Sequence, residues 1–567
     1  MSLTEINRCL ENNKQVESRT DFPTDFRQML SIANRSFGEQ TAVNFFEQAE
    51  GVTLTFKELS AKVNQLADGL NQIGVSKGCH VAVMMTNRVE FPITWLAIAV
   101  LGAVMVPINV RYTSHELDYV IDDSDSDYII TEEALLPVFE SMNEMPPQLT
   151  GNHIVVVDRA FVAHEINNTV VSNKDAQYSN SSYLGWTNII QKGKSNYSPD
   201  WTISGDDLLN IQYTSGTTGF PKGCMQSQKY WILLGCSVDA LLSYTIKNIL
   251  TDHSFFYMDP QWQLVMALFN GARLNVAAKL SSSQFVSRVK KFDIDMAWFP
   301  RPLLSEPASP DDRKLPLKKL FIGGASAESI NQLQTRFGIN VSNAYGMTEI
   351  GPGLYVPDEI TDPDILGTCG IMSPYRECKV MLENGKQAVA NEAGELWVRG
   401  AGIFSGYYNN PEANADAFVN GWFRTGDKFI RTEKGYFKIV GRFKDMIRRS
   451  SENISALEVE HVLSQHPAIR QAAVIAVADD YRGEEVKAFI LLRDSELKID
   501  LQPDQIVEYC KTRLAEFKIP RYIDYVKELP LTPTQKVAKH ILKERHQDFV
   551  VSSWDRTNQK VANEFIN

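Results

Sequence analysis

Tyr213-Thr-Ser-Gly-Thr-Thr-Gly-Phe-Pro-Lys-Gly223 decides how the rest of the chain is read. Glycine lets a backbone approach a phosphate closely, and successive amides form an anion-binding nest. The hydroxyls of Ser215, Thr217 and Thr218 add donors, and Lys222 adds a point positive charge. Three glycines, three hydroxyls and a lysine within residues 215–223 exceed what an ordinary turn needs. The stretch is not the GxxxxGK[ST] phosphate loop, because Pro221 precedes Lys222 and Gly223 follows it. It implies nucleotide phosphate binding.

Outward from this loop, strand and helix patterns alternate. Residues 53–73 open as a short strand and continue with Leu59, Val63, Leu66 and Leu70 at helical spacing. The run Pro92–Pro107 holds too few residues to cross a bilayer, which takes about 20, and reads as a buried helix. A polar helix is expected around His115–Asp123, and a surface loop with room for short helical turns over about 160–205. Alternation resumes near 206, and glycine-punctuated short segments over 365–440 suggest a small β-rich unit. A second α/β pattern starts after Gly441. The expected fold is α/β: a large N-terminal domain of doubly wound α/β subdomains plus the β-rich subdomain, then a small mobile α+β C-terminal domain. The expected boundaries are 1–441, a hinge at 442–445, the C-terminal domain at 446–548 and a loosely held polar tail at 549–567.

Composition narrows the function. The chain has 567 residues, 44% of them hydrophobic and 22% charged, a globular balance that excludes a fibrous or disordered protein. Its net charge of −12 gives no general pull toward nucleic acid or anionic membrane. Seven scattered cysteines without a CxxC pair suit a reducing compartment. The N-terminus lacks an apolar signal core, so a cytoplasmic protein without a membrane span is expected.

Further motifs follow in order, and together they resemble the adenylate-forming superfamily of acyl-CoA synthetases, adenylation domains and firefly-type luciferases. Thr214–Gly223 matches that family's [ST]SGTTGxPKG loop at every defined position. Phe321-Ile-Gly-Gly-Ala325 is similar to its GGA segment, and Asn343-Ala-Tyr-Gly-Met-Thr-Glu349 to its YGxTE motif. Gly394-Glu-Leu with Gly406-Tyr-Tyr, and Gly421-Trp-Phe-Arg-Thr-Gly-Asp427, resemble GEL…GY and GWxxTGD. Gly441-Arg-Phe-Lys-Asp-Met-Ile447 resembles the interdomain hinge, and Pro533-Thr-Gln-Lys536 the C-terminal catalytic segment. The ending Thr532–His540 is similar to that of crotonobetaine/carnitine-CoA ligase-like members.

The resemblance implies an acid–thiol ligase using ATP, Mg²⁺ and coenzyme A on a small carboxylic acid. Thr214, Ser215, Gly216, Thr217, Thr218 and Gly219 would hold phosphates, with Lys222 neutralising charge. Gly324, Ala325, Asn343, Tyr345, Gly346 and Ile439 would contact the nucleoside, and Asp427 with Arg442 the ribose. Thr348 would donate to the α-phosphate, Glu349 would ligate magnesium, and Lys536 would supply positive charge where carboxylate and phosphate meet. Lys444 is the implied hinge, and Ser450, Ser451, Glu452 and Asn453 the coenzyme A-side loop. Trp231, Cys236, Trp262, Gln263, Ser326, Met347 and Pro352 are implied to line the acyl pocket, whose bulk suits a compact acid. Gln263 stands where an aromatic or His is usual and suggests a polar feature in or near the substrate. Ser450-Ser451 replace the usual paired glycines, and Gln535 replaces the glycine before the catalytic lysine. A stand-alone enzyme loading a carrier protein, an oxidative or light-emitting member, and an inactive ligase-derived binding protein are the alternatives. A second copy of the chain is a further candidate partner.

Overall fold

The computed structural model describes residues 2–48, 51–143, 145–149, 151–157, 183–214, 221–242, 244–300, 303, 306–323, 325, 327–360, 362–442, 446–450, 452–493, 501–530, 537–546 and 553–557. Four sheets organise them. In a seven-stranded sheet, His80–Met84, Val104–Pro107, Tyr128–Glu132, Ile154–Val157 and Leu208–Thr214 run parallel, and Lys222–Ser227 closes one edge antiparallel. A nine-stranded sheet has the parallel core Asn248–Thr251, Arg273–Val276, Met296–Trp298, Lys319–Gly323 and Asn340–Met347. A parallel sheet needs both faces covered, which explains its apolar strands.

Helix Glu90–Leu101 is buried at every position, as its unbroken apolar run requires. Helices Gln228–Leu241 and Met258–Asn270 pack so closely that a Cβ at Gly235 would lie 2.6 Å from Val265 Cγ1. Trp95, Trp186 and Trp231 are among the largest fully buried side chains. Among the described residues, no helix is long and apolar enough to cross a membrane.

One expectation gains detail and another is corrected. The segment read as surface loop with short helical turns contains the strand Leu184–Gly185 and the short helix Trp186–Lys192, and the fully buried Trp186 indole donates to Thr94 Oγ1 at 3.1 Å. A single large apolar anchor, invisible to periodicity, holds it. The polar end is not loose throughout. Trp554–Asp555 pairs with Tyr522–Tyr525 as an edge strand, Trp554 is buried, and Asp555 meets Arg521.

A five-stranded antiparallel sheet fills 377–442, as its glycine-punctuated sequence suggests. A six-stranded sheet with its own apolar core, centred on Ile454, Val459, Val474, Ala488 and Ile523, forms the C-terminal unit.

Candidate active site

The phosphate-loop stretch joins two antiparallel strands, with Thr214 opposite Lys222 and Tyr213 opposite Gly223. Ser215, Gly216, Thr217, Thr218 and Gly219 lie outside the described residues, as do Gly324, Ser326, Lys444, Ser451 and Lys536. Lys222 Nζ stands 5.0 Å from the centroid of the Tyr407 ring, a cation–π distance. The Tyr407 hydroxyl donates to Glu349 Oε1 at 2.8 Å, and Glu349 is buried. Burial and the adjacent carboxylate push the Tyr407 phenol far above its ordinary value, so it remains a donor. Tyr407 reaches this place because residues 405–408 hydrogen-bond strand Lys222–Ser227, with Met225 N on Gly406 O at 2.9 Å and Tyr408 N on Gly223 O at 2.8 Å.

Strand Asn340–Met347 folds back onto Gly351–Tyr355 through the turn carrying Thr348 and Glu349. Gly346 lies opposite Pro352 there, and a Cβ on it would meet Gly351 O at 2.6 Å. The Thr348 carbonyl accepts from Gln226 Nε2 at 2.8 Å and Tyr230 Oη at 3.0 Å, which fixes the turn. Asn343 is buried, and its amide reaches the carbonyls of Ala325 and Thr368 at 3.4 and 3.3 Å. Tyr345 Oη donates to Asp427 Oδ2 at 2.8 Å, and its ring meets Phe429 edge-on at 4.9 Å. Asp427 pairs in register with Arg442, and Phe429 with Ile439. The expected ribose acceptor and the expected adenine-side tyrosine therefore touch directly.

The expected acyl-side residues divide. Trp262 is buried on helix Met258–Asn270, its indole donating to Asp259 Oδ1 at 3.0 Å and its ring edge-on to Phe321 at 6.3 Å. Phe321 in turn meets Trp298, its register partner, at 5.6 Å. Gln263 is 1% exposed, and neither amide atom has a hydrogen-bond partner. Trp298 Nε1 and Thr251 Oγ1 are likewise buried without partners. Trp231 is packed against Trp95 at 5.3 Å and Tyr230 at 5.5 Å, in the interior between helices. Cys236 is buried further along the same helix, where burial pushes its thiol up. Met347 is half-buried and within 3.7 Å of Tyr345 Oη.

The loop expected to face coenzyme A meets the large domain. Glu452 is buried; it accepts from Tyr257 Oη and from Arg111 Nη1 at 3.1 Å, and Asn109 Nδ2 lies 3.2 Å from Tyr257 Oη. Arg448 Nη2 lies against Gly323, 2.8 Å from where a Cβ would stand. Asn453 is exposed. Ser450 takes φ 56°, the left-handed region that favours glycine, which gives a physical reason for the glycine usual there. Tyr257, Arg111 and Trp298 stand in no motif of the sequence; Tyr407 stands in Gly406-Tyr-Tyr and Phe321 opens the segment Phe321–Ala325, but neither motif assigns them a site role.

With this geometry in place, the comparisons are direct. Residues 30–408 match the AMP-binding enzyme family, and 458–536 match the AMP-binding enzyme C-terminal domain. The chain belongs to the AMP-binding enzyme family. Crotonobetaine/carnitine–CoA ligase of Citrobacter koseri is 30% identical over 537 residues, covering 92% of this chain and 99% of that protein. Fatty acyl CoA synthetase of Mycobacterium tuberculosis aligns with a TM-score of 0.63 at 26% identity, covering 92% and 98%. A double mutant of Bacillus subtilis o-succinylbenzoate CoA synthetase, bound to its product analogue, aligns with a TM-score of 0.75 at 23% identity, covering 92% and 98%. The same enzyme with its acyl-adenylate intermediate aligns over the same coverage with a TM-score of 0.61. This AMP-binding enzyme is an ATP-dependent acid–thiol ligase that forms AMP.

Proposed function

We propose that this ligase activates a compact acid of the crotonobetaine/carnitine kind, which carries a quaternary ammonium group, and passes the acyl group to coenzyme A. The observation that carries the reading is the convergence of Lys222, Tyr407 and Glu349 at the mouth of the phosphate-loop hairpin. A thiol cannot displace oxide from a carboxylate. Attack of the carboxylate on the α-phosphorus of ATP releases pyrophosphate and makes AMP the leaving group. The thiol then attacks the carbonyl carbon, AMP departs, and the acyl-CoA thioester remains.

Each residue has a role in this scheme. Lys222 spreads positive charge toward the phosphates, Thr348 orients the α-phosphate, and Asp427, held by Tyr345, accepts from the ribose hydroxyls. Lys536 stabilises charge where carboxylate and α-phosphate meet. Glu349 is a buried hard-oxygen donor that would hold magnesium. A magnesium ion held there would supply charge neutralisation to the phosphates.

The acid class is supported by the rings of Trp262 and Trp298, because ring faces attract quaternary ammonium ions; the Phe321 ring between them already has Lys319 Nζ 5.4 Å from its centroid. The names of the 30%-identical relatives point the same way. The contacts of Glu452 with Tyr257 and Arg111 support a coenzyme A-facing arrangement of the C-terminal unit. The divisions at 441 and 445 and rotation about Lys444 belong to this proposal, as do a cytoplasmic location and a homodimer. The test is ATP–pyrophosphate exchange with carnitine, crotonobetaine, butyrate, hexanoate and benzoate. Exchange fastest with the two betaines is expected; exchange fastest with an uncharged acid would overturn the acid class, and none with any acid the ligase reading.

A further inference from the structure

We propose that Lys518 and Glu116 form a positioning pair that holds the C-terminal unit in the coenzyme A-facing arrangement, so that thioester formation depends on the pair and adenylation does not. The inference rests on the ligase reading above.

Lys518 lies in the turn Glu516–Lys518 of the C-terminal unit, and its side chain is 2% exposed. Its ammonium meets two carboxylates, each at 2.7 Å. Glu458 comes from helix Ala456–Ser464 of the same unit, and Glu116 from helix Ser114–Asp123 of the large domain. The Tyr112 ring, also from the large domain, lies 4.8 Å from the ammonium.

The two carboxylates differ in what domain rotation does to them. Lys518 and Glu458 travel together, so their charges balance in any arrangement. Glu116 joins them when the units dock, as here. Glu116 is also held in advance: its Oε2 accepts from Thr113 N at 2.8 Å and Thr113 Oγ1 at 3.0 Å in a capping box. Lys518 thus meets a fixed acceptor, and docking loses little side-chain freedom on that side. Glu458 Oε2 has no hydrogen-bond partner, so this one lysine serves both acids. A buried ion pair broken on one side leaves an uncompensated charge, which makes the contact sensitive to geometry.

The decisive variant is Glu116→Gln, which can keep the capping box while removing the charge. Two half-reactions are measured on the full chain: ATP–pyrophosphate exchange, and conversion of a supplied acyl-adenylate and coenzyme A to thioester, using the acid that exchanges fastest. A thioester step at least tenfold slower is expected, the ratio that about 1.4 kcal/mol produces, with exchange changed less than about twofold. Glu458→Gln is expected to lower the melting temperature and to affect both steps alike. Spin labels at Val389→Cys and Tyr481→Cys, exposed positions in the large and C-terminal parts, report docking without chemistry. Their separation in the ligand-free enzyme is expected to shift in Glu116→Gln. Equal slowing of both half-reactions, or an unchanged separation, would overturn the pair. Wild-type enzyme that makes no thioester while the label shift persists would leave the pair standing and sink the ligase reading instead.

Discussion

Tyr345 donates a 2.8 Å hydrogen bond to Asp427 Oδ2 across 82 residues of sequence, and both side chains are buried. The phenol fixes the orientation of a carboxylate assigned to the ribose, so the acceptor is set before ATP arrives. Hydrogen bonds to a charged group contribute about 1.5–3 kcal/mol each. Asp427→Ala is therefore expected to raise the KM for ATP at least about tenfold, with Tyr345→Phe giving a smaller rise in the same direction. The KM for ATP in the exchange assay decides it, and an unchanged value in Asp427→Ala removes the ribose assignment.

Tyr407 links Lys222, proposed to face the phosphates, to Glu349, the proposed magnesium ligand. Tyr407→Phe keeps the ring near Lys222 and deletes the 2.8 Å bond to Glu349, leaving a buried carboxylate short of a donor. Adenylation is expected to slow by roughly tenfold, with a higher magnesium requirement and the same ranking of acids. If the acids reorder, Tyr407 lies on the acyl side instead.

Gln263 separates stability from specificity. Its amide is buried with both polar atoms unpartnered, and leaving such a group unmade costs about 1–3 kcal/mol. Gln263→Leu is expected to raise the melting temperature while weakening discrimination between betaines and uncharged acids. A lower melting temperature, with the acid profile intact, would make the glutamine an ordinary packing residue.

Glu452 gives docking a pH dependence. Burial raises its pKa above the ordinary carboxylate value in the docked arrangement, against the lowering effect of Tyr257 and Arg111. A raised pKa means that docking binds the proton more tightly. Its contribution is thus fully present below the ordinary value and is lost as pH climbs through the raised one. The docked fraction, read by interdomain label separation, should fall over that window in the wild type and fall less steeply in Glu452→Gln, where Glu458, also raised by burial, still titrates. A rise with pH in the wild type would reverse the sign.

Local patterns carried much of this architecture. The buried helix Glu90–Leu101, the helix Ser114–Asp123 and the β-rich 377–442 region follow from apolar runs, caps and glycine spacing. The strands flanking residues 215–220, and the motifs in which Glu349 and Asp427 stand, are contiguous stretches that a sequence displays directly. What stayed hidden depends on distant pairing. Tyr407 matters through Glu349, 58 residues away, and Tyr257 through Glu452, 195 residues away. Lys518 matters through Glu116, 402 residues away. No window of sequence holds both members of such a pair. Trp186 and Trp554 show the same limit for folding, since one large side chain docked at a distance orders a segment whose composition reads as loop or tail.

The fate of one oxygen atom tests the central claim most directly. The acid that exchanges fastest is supplied with isotopically labelled carboxylate oxygens, together with ATP, magnesium and coenzyme A, and the products are weighed by mass spectrometry. Adenylation followed by thiol attack at the carbonyl carbon must leave one labelled oxygen in AMP and one in the thioester. That is the result expected. Label appearing in inorganic phosphate alongside ADP, or AMP free of label, would contradict an acyl-adenylate intermediate and with it this account of the enzyme.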